Sequence, residues 1–362
     1  MTNCIYLHIP FCEKKCNYCS FCSFNLLSKK EEYINSLIKE IDFYYDNSKL
    51  KTLYFGGGTP SLLEIKDFEK ILSLFNFDNK TEITLEVNPN TVDLNKLKSL
   101  KTLGINRISV GVQNFDDEIL KIIGRNHTKK EVYQCIENIN KAGFENYSID
   151  LMYGLPNQDT NQWEKTLKEA LELNSKHISL YGLKIEQGTY FYKFPPKNLP
   201  DLDMQAKMYE IAIEKLGEKF LHYEFSSFAK NKNYISKHNS IYWKRKNYWG
   251  FGLSASGFLD NKRYTNTTNF KNYIKNPTEK IYQTLTKQEE IEEEIFLGLR
   301  LRDGINFDLI NKKYNIDIFK KYKKIFDKFC QNNFMEYTTN GIKLTKQGIL
   351  LSNEILCEFI EV

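Results

Sequence analysis

The sequence predicts an α/β fold, a partial barrel of six parallel strands each followed by a helix, with a small C-terminal α+β module of winged-helix type. Two observations predict it. Residues 1–183 repeat one pattern, a short β-rich run, a turn and an amphipathic stretch, and strand–helix alternation specifies parallel strands with helices outside. In addition, the chemically unusual residues fall at the C-terminal ends of the predicted strands, the edge on which α/β barrels build their sites.

The elements follow in order. The first strand, 4–9, runs into His8-Ile9-Pro10-Phe11 and a cluster of cysteines. Tyr33, Leu37, Ile41 and Tyr44 then recur at helical spacing, with Ser28 as the expected N-cap. The second strand, 51–55, ends on Gly56-Gly57-Gly58-Thr59-Pro60, and Phe68, Ile71, Leu72 and Phe75 mark the next helix. Strand three, 82–87, ends on Glu86-Val87-Asn88-Pro89; Asp93 is the expected cap of a helix with Leu94, Leu97 and Leu100 inward. Strand four, 107–112, leads to Gln113 and to a helix with Val132, Ile136 and Ile139. Strand five, 147–152, carries Asp150 and precedes a helix with Trp163, Leu167 and Leu171. Strand six covers 177–183.

Beyond Leu183 the repeat stops. Phe194-Pro195-Pro196 and Pro200 mark turns, and a helix is read at 201–217. An aromatic-rich segment spans 222–273. Helices are read at 286–301, 306–314 and 316–331, then a hairpin near 335–344 and a last helix. The expected organisation is 1–217 for the partial barrel, 218–284 for a segment packing on it, and 285–362 for the winged-helix-like module. That shape often binds DNA, or else packs on the barrel; no basic, aromatic-interleaved strand points to nucleic acid.

Composition narrows the class. With 362 residues, 41% hydrophobic and 14% aromatic, the chain has material for one large and one smaller packed unit. No apolar run reaches about 18 residues, so no membrane span is expected, and no basic, cleavable apolar start indicates a signal peptide. Eight cysteines, half of them clustered, fit a reducing cytoplasm. The net charge of +5 comes from scattered lysines, as at 320–324, which read as a solvated helix face.

Cys12-x3-Cys16-x2-Cys19 is too crowded for a disulfide framework and unlike the paired knuckles of zinc ribbons. Three thiolates this close suit three corners of an iron–sulfur cube. The fourth iron is then open to the amino and carboxylate groups of S-adenosylmethionine (SAM), which leads to radical chemistry. The alternatives are a structural zinc or an electron-transfer site.

Tyr6-x-His8-Ile9-Pro10-Phe11-Cys12-x3-Cys16-x2-Cys19 resembles the radical SAM proteins of the oxygen-independent coproporphyrinogen III oxidase group, through nearly the whole chain. The similarity is greatest to the HemW branch, described as haem chaperones. The resemblance implies a [4Fe–4S] cluster on Cys12, Cys16 and Cys19 with SAM on the open iron. It implies SAM contacts from the Gly57-Gly58-Thr59 turn, Glu86, Gln113, Arg125 and Asp150, with Tyr6 and Tyr18 on the same side. These residue types suit such contacts. Glycine admits close backbone approach, carboxylates accept from amino and hydroxyl groups, and Arg125 pairs a carboxylate. Arg125 as a surface ion pair, and the two tyrosines as core aromatics, are the bland alternatives. His8 is expected to order the cysteine loop, and Cys4, Cys135, Cys330 and Cys357 to be buried small hydrophobes.

His238-Asn239-Ser240-Ile241-Tyr242-Trp243 matches the HNxxYW motif linked in that branch to haem, which implies haem contacts from His238, Asn239, Tyr242 and Trp243; a buried structural histidine is the alternative. His222 and Cys330 are weaker ligand candidates. Gly250–Gly257 matches a loop closing over the barrel mouth. The chain departs from the pattern twice. The oxidases carry C-x-C after the third cysteine, whereas Ser20 and Phe21 here precede Cys22, expected to be a non-ligand. Ser254-Ala255-Ser256 lacks the histidine of many HemW sequences and is closer to the oxidase style. Only eleven residues precede Cys12, where the oxidases carry a longer extension that encloses the site. The expectation is therefore a cytoplasmic haem carrier serving a respiratory protein, with a peripheral membrane contact, no nucleic acid, and no coproporphyrinogen oxidase activity. The alternative is that oxidase, which would decarboxylate propionate side chains by a radical route.

Overall fold

The computed structural model describes residues 2–360. Six parallel strands form its centre: β1 (Cys4–Ile9), β2 (Thr52–Gly57), β3 (Glu82–Val87), β4 (Arg107–Gln113), β5 (Tyr147–Tyr153) and β6 (His177–Gly182). They lie side by side in chain order, connected through α1 (Lys30–Tyr44), α2 (Ile65–Leu72), α3 (Leu94–Thr102), α4 (Asp117–Ile122), α5 (Lys129–Lys141) and α6 (Thr160–Glu172). Each strand falls within two residues of the run read from the sequence. Alternation puts Leu7, Phe55, Leu85, Val110, Ile149 and Leu180 on one face, in a core shared with Leu37, Phe68, Leu97, Ile136 and Leu167 of the helices. The other face carries Tyr54, Glu86, Ser109 and Asp150, so the concave side of the sheet is polar.

Asp93 caps α3 as expected, accepting from Lys96 N at 2.7 Å. Ser28 does not cap α1: it lies inside a 3-10 turn, Leu27–Lys29, and α1 starts at Lys30 with no side-chain cap. After α7 (Tyr190–Lys193) and α8 (Leu202–Gly217), part of the segment expected to pack on the barrel joins the sheet itself. The antiparallel hairpin β7 (Leu221–Glu224) and β8 (Ser227–Ala229) extends the β6 edge. At the far edge β9 (Trp249–Phe251) pairs parallel with β1. The result is an open nine-stranded sheet, order β7-β8-β6-β5-β4-β3-β2-β1-β9. Strands of three or four residues are too short to show a period of two, which is why the sequence did not reveal them.

Between the last two of these strands lies α9 (Lys237–Trp243), the helix of the HNxxYW motif. β10 (Ser256–Leu259), β11 (Lys262–Asn266) and β12 (Lys280–Thr284) form a small antiparallel sheet, with α10 (Phe270–Lys275) inserted. The C-terminal module has α11 (Lys287–Gly298), β13 (Ile305–Asn306), α12 (Phe307–Tyr314), α13 (Ile318–Gln331), β14 (Met335–Thr338) and β15 (Gly341–Leu344). Its strands pair in the order β13-β15-β14. Two short helices, α14 (Lys346–Leu350) and α15 (Ser352–Cys357), replace the single expected one. Arg245, just past α9, bonds Glu293 at 3.0 Å and Glu290 at 3.3 Å and so fastens this module to the motif helix. Among the described residues, no helix is long and apolar enough to cross a membrane.

Candidate functional site

The loop after β1 is closed by backbone bonds, Phe24 N to Pro10 O at 2.7 Å and Cys12 N to Phe24 O at 3.0 Å. Asn17 anchors its middle to the end of α4, donating from its backbone to Ile123 O at 3.0 Å and from its side chain to Ile122 O at 2.8 Å. His8 orders it from below: Nε2 bonds the Cys22 carbonyl at 2.8 Å and Nδ1 the Tyr6 hydroxyl at 3.0 Å. Cys12, Cys16 and Cys19 are free thiols that line one cavity of about 430 Å³, within the size range of small-molecule sites. Burial pushes the Cys19 thiol up, and the negative forms of Cys16 and Cys12 add to this. Cys22 does not line the cavity. Its Sγ faces the Thr268 carbonyl at 3.8 Å, and the groups that act on it are Ser254 and Lys15. Among the described residues, no three His, Cys, Asp or Glu side chains gather closely enough to hold one metal ion. A cube, which spreads three thiolates over three irons, suits this set better than a single ion.

The glycine turn meets that loop. Gly58 N donates to Ile9 O at 2.9 Å and Thr59 N to Phe11 O at 2.7 Å. Gly57 has φ +114°, and a Cβ there would lie 2.8 Å from the His8 ring. Thr59 Oγ1 lies 3.5 Å from Cys12 Sγ and accepts from Asn88 Nδ2 at 3.2 Å. Arg125 is no surface ion pair: its guanidinium donates to Asn88 Oδ1 and to Gly111 O, both at 2.6 Å, and approaches Cys16 Sγ at 3.6 Å. Gly111 leaves room for it, since a Cβ there would lie 2.9 Å from the guanidinium.

Glu86 stands at the centre. Oε1 accepts from the Tyr54 hydroxyl at 2.7 Å and Oε2 from Gly57 N at 3.2 Å. Burial raises its pKa to about 7, against the lowering effect of the Tyr54 bond. Asp150, also raised by burial, accepts from Ser109 Oγ at 3.1 Å. Glu86 and Ser109 are register partners, as are Gly111 and Asp150, which puts both carboxylates on the concave face, on rows two residues apart. Gln113 takes φ +65° at a register shift between β4 and β5, and lines the cavity with Tyr18.

Some expected residues lie elsewhere. Tyr6 is not part of the cavity wall: it lies under Gly56, bonded to His8. The Gly250–Gly257 segment does not close over the mouth, because Gly252 N is held by Glu40 at 2.8 Å and Leu253 N by Tyr33 at 3.0 Å, on the outer flank of β1. His238 is 1% exposed with both ring nitrogens engaged, Nδ1 to Thr52 Oγ1 and Nε2 to the Tyr242 hydroxyl, each at 2.8 Å. It presents no free nitrogen to an iron as it stands. Asn239, Tyr242 and Trp243 are half-buried around it. His222 stacks on Phe228 and bonds the Phe225 carbonyl. Cys4 and Cys135 are buried as expected; Cys330 is half-buried and Cys357 exposed. Sequence reasoning missed Tyr54, Asn88, Ser109 and Tyr181. Asn88 was findable, as it stands two residues beyond Glu86 at the same strand end; the others needed the register.

The chain is similar to known proteins along nearly its whole length. Residues 6–170 match the model of the radical SAM superfamily, and residues 285–351 that of the HemN C-terminal domain. The heme chaperone HemW of Bacillus subtilis (strain 168) is 36% identical over 98% of this chain and 98% of its own. The heme chaperone HemW of Lactococcus lactis subsp. lactis (strain IL1403) is 36% identical over 99% of this chain and 97% of its own. Coproporphyrinogen III oxidase (HemN) from Escherichia coli, a radical SAM enzyme, superposes with a TM-score of 0.87 at 23% identity, covering 98% of this chain and 89% of that one. This last likeness establishes the fold.

Proposed function

The chain belongs to the heme chaperone HemW family of the radical SAM superfamily, and on that premise we propose that it binds a [4Fe–4S] cluster and SAM, and carries haem to a respiratory protein at the membrane surface. The observation that carries the first part is the single cavity wall shared by Cys12, Cys16, Cys19, the Gly57–Thr59 turn, Glu86, Arg125 and Asp150. Three thiols with a fourth, Cys22, turned away is the donor set for a cube with one open iron. Such a cluster supplies an electron to a SAM sulfonium when bound. The chain's own residues do the rest. Arg125 places a fixed positive charge beside Cys16 and the ligand carboxylate. Glu86 and Asp150 accept from amino and hydroxyl groups. The glycine turn admits the ligand backbone-close.

Haem is cargo in this reading. With every histidine buried or half-buried, the surface suited to a flat apolar macrocycle is aromatic. Phe21 and Tyr181 stand exposed at the cavity, and α7, docked on the loop through Phe191 N to Asn17 O at 2.9 Å, exposes Tyr190 and Tyr192 with Phe194 beside it. Lys184 at the same mouth, paired with Glu186 at 3.1 Å, offers a cation to a propionate that displaces this partner.

The test is anaerobic reconstitution followed by haem titration and a coproporphyrinogen turnover assay on one sample. Iron and sulfide content should collapse in Cys16→Ser and survive in Cys22→Ser. SAM affinity should fall in Arg125→Ala, and haem should add with a Soret band. Equal cluster loss in Cys22→Ser would indicate a four-cysteine cluster closed to SAM. Sustained formation of protoporphyrinogen with 5′-deoxyadenosine would replace the carrier by an oxidase.

A further inference from the structure

The HNxxYW helix sits beneath the SAM pocket, and its bonds lead into it. Glu82, the first residue of β3, accepts from the backbone of His238 at 2.9 Å and of Lys237 at 3.1 Å, which fixes the start of α9 under the sheet. His238 bonds Thr52 through Nδ1 and Tyr242 through Nε2, so its ring has one orientation. That ring stacks on Tyr54, with centroids 4.9 Å apart and planes 25° off parallel. Tyr54 stands two residues beyond Thr52 on the same face of β2, and Tyr6 stacks on it at 6.1 Å. Held by both rings, its hydroxyl donates to Glu86 Oε1, while Glu86 Oε2 takes Gly57 N.

We infer that α9 is a positioning element of the SAM pocket: His238, locked by Thr52 and Tyr242, holds Tyr54, and Tyr54 holds the Glu86 carboxylate toward the ligand. A binding carboxylate needs such support, because a loosely held side chain loses conformational entropy on every binding event. The inference deepens the proposed function and rests on Glu86 contacting SAM. It gives the motif a role in which no ring nitrogen need be free.

The groups facing Glu86 are Tyr54 and Gly57 N on β2, Tyr6 on β1, Arg107 on β4, Asp150 on β5, Tyr181 on β6 and Tyr242 on α9. The ionised carboxylate is the acceptor, and its pKa stands at about 7. SAM affinity should therefore rise with pH through that range. Losing the Tyr54 donor raises the pKa, so the midpoint should move to higher pH.

The experiment is SAM titration calorimetry across pH on the anaerobically reconstituted full chain, with melting curves and haem titration alongside. The variants are Glu86→Gln, Tyr54→Phe, His238→Gln and Tyr242→Phe. Tyr54→Phe is expected to raise Kd about tenfold, as loss of a hydrogen bond to a charged group does, and to shift the pH midpoint upward. His238→Gln should weaken SAM binding in the same direction and leave the haem titration unchanged. A general packing defect would lower the melting temperature without moving the midpoint. Should His238→Gln fail to fold, Tyr54→Phe and Tyr242→Phe, each removing one hydroxyl, carry the test. Unchanged affinity and midpoint in Tyr54→Phe, with Glu86→Gln weakened, would sink this inference and leave the SAM site standing. Unchanged affinity in Glu86→Gln would remove the site itself. Loss of the Soret band in His238→Gln at unaltered SAM affinity would return the motif to haem.

Discussion

A methyl group added at Gly58 would lie 2.7 Å from the Phe11 carbonyl oxygen and 3.0 Å from Cys12 Sγ. The oxygen belongs to the backbone and accepts from Thr59 N, so it cannot yield readily, and the strain falls on the cysteine. Gly58→Ala should therefore lose more than half of the reconstituted iron while keeping its circular dichroism. Gly217→Ala, at a position with nothing within 4 Å of an added Cβ, is the control and should keep the cluster. Full iron content in Gly58→Ala would mean that the turn does not set the position of Cys12. The same scale explains Arg125. Its long side chain reaches Asn88 just past β3, Gly111 on β4 and Cys16 in the cysteine loop at once, which lysine, with one compact donor group, would not do.

At the scale of elements, β9 and the small antiparallel sheet are held to α1 by one buried charge pair. The side chains of Lys280 and Glu40 are both fully buried and meet at 2.5 Å. Glu40 also accepts from Gly252 N at 2.8 Å, Asn266 Nδ2 at 2.7 Å and the Tyr273 hydroxyl at 2.7 Å. Lys280 Nζ lies over the rings of Tyr264 and Tyr44 at 4.4 and 4.6 Å. A buried pair so surrounded adds little net stability, yet breaking it strands a charge. Lys280→Met should cost about 3–5 kcal/mol in denaturant unfolding. The double variant Glu40→Gln with Lys280→Met should recover most of that, since no unpaired charge remains. A single variant as stable as the parent would show the pair to be incidental to the edge at β9.

At the scale of the molecule, all five histidines are buried or half-buried and held below their ordinary pKa, with burial the first cause in each. Their unfolded value is about 6.5. As pH falls below it the unfolded chain takes up protons that the folded chain refuses, and stability drops. Glu86, Asp150 and Glu224 have raised values and act oppositely, since the folded state holds their protons longer. The two sets oppose each other, so the histidine part is read in a variant. Burial holds the His127 imidazole at about 3, so the fall in melting temperature of the cluster-free chain from pH 7 to pH 5 should be smaller in His127→Gln than in its parent; an unchanged pH difference would contradict the histidine contribution.

By itself the sequence determined what local spacing can carry. The period of apolar residues located six strands to within two residues, Asp93 marked a cap, and the cysteine triplet and glycine turn stood out by type and by position after a strand. Most of the residues singled out for SAM do line one cavity, because strand ends in a parallel sheet meet on one edge. Tertiary structure alone decided the rest: the short edge strands, Tyr6 below the cavity and not in it, and the bonding of His238. The reason is distance along the chain. The partner that occupies His238 Nδ1 is Thr52, 186 residues away, and no spacing within the motif reports what a helix will be packed against. A histidine's type and local spacing offer a ligand; the burial and partners that decide whether its nitrogens are free come from the fold.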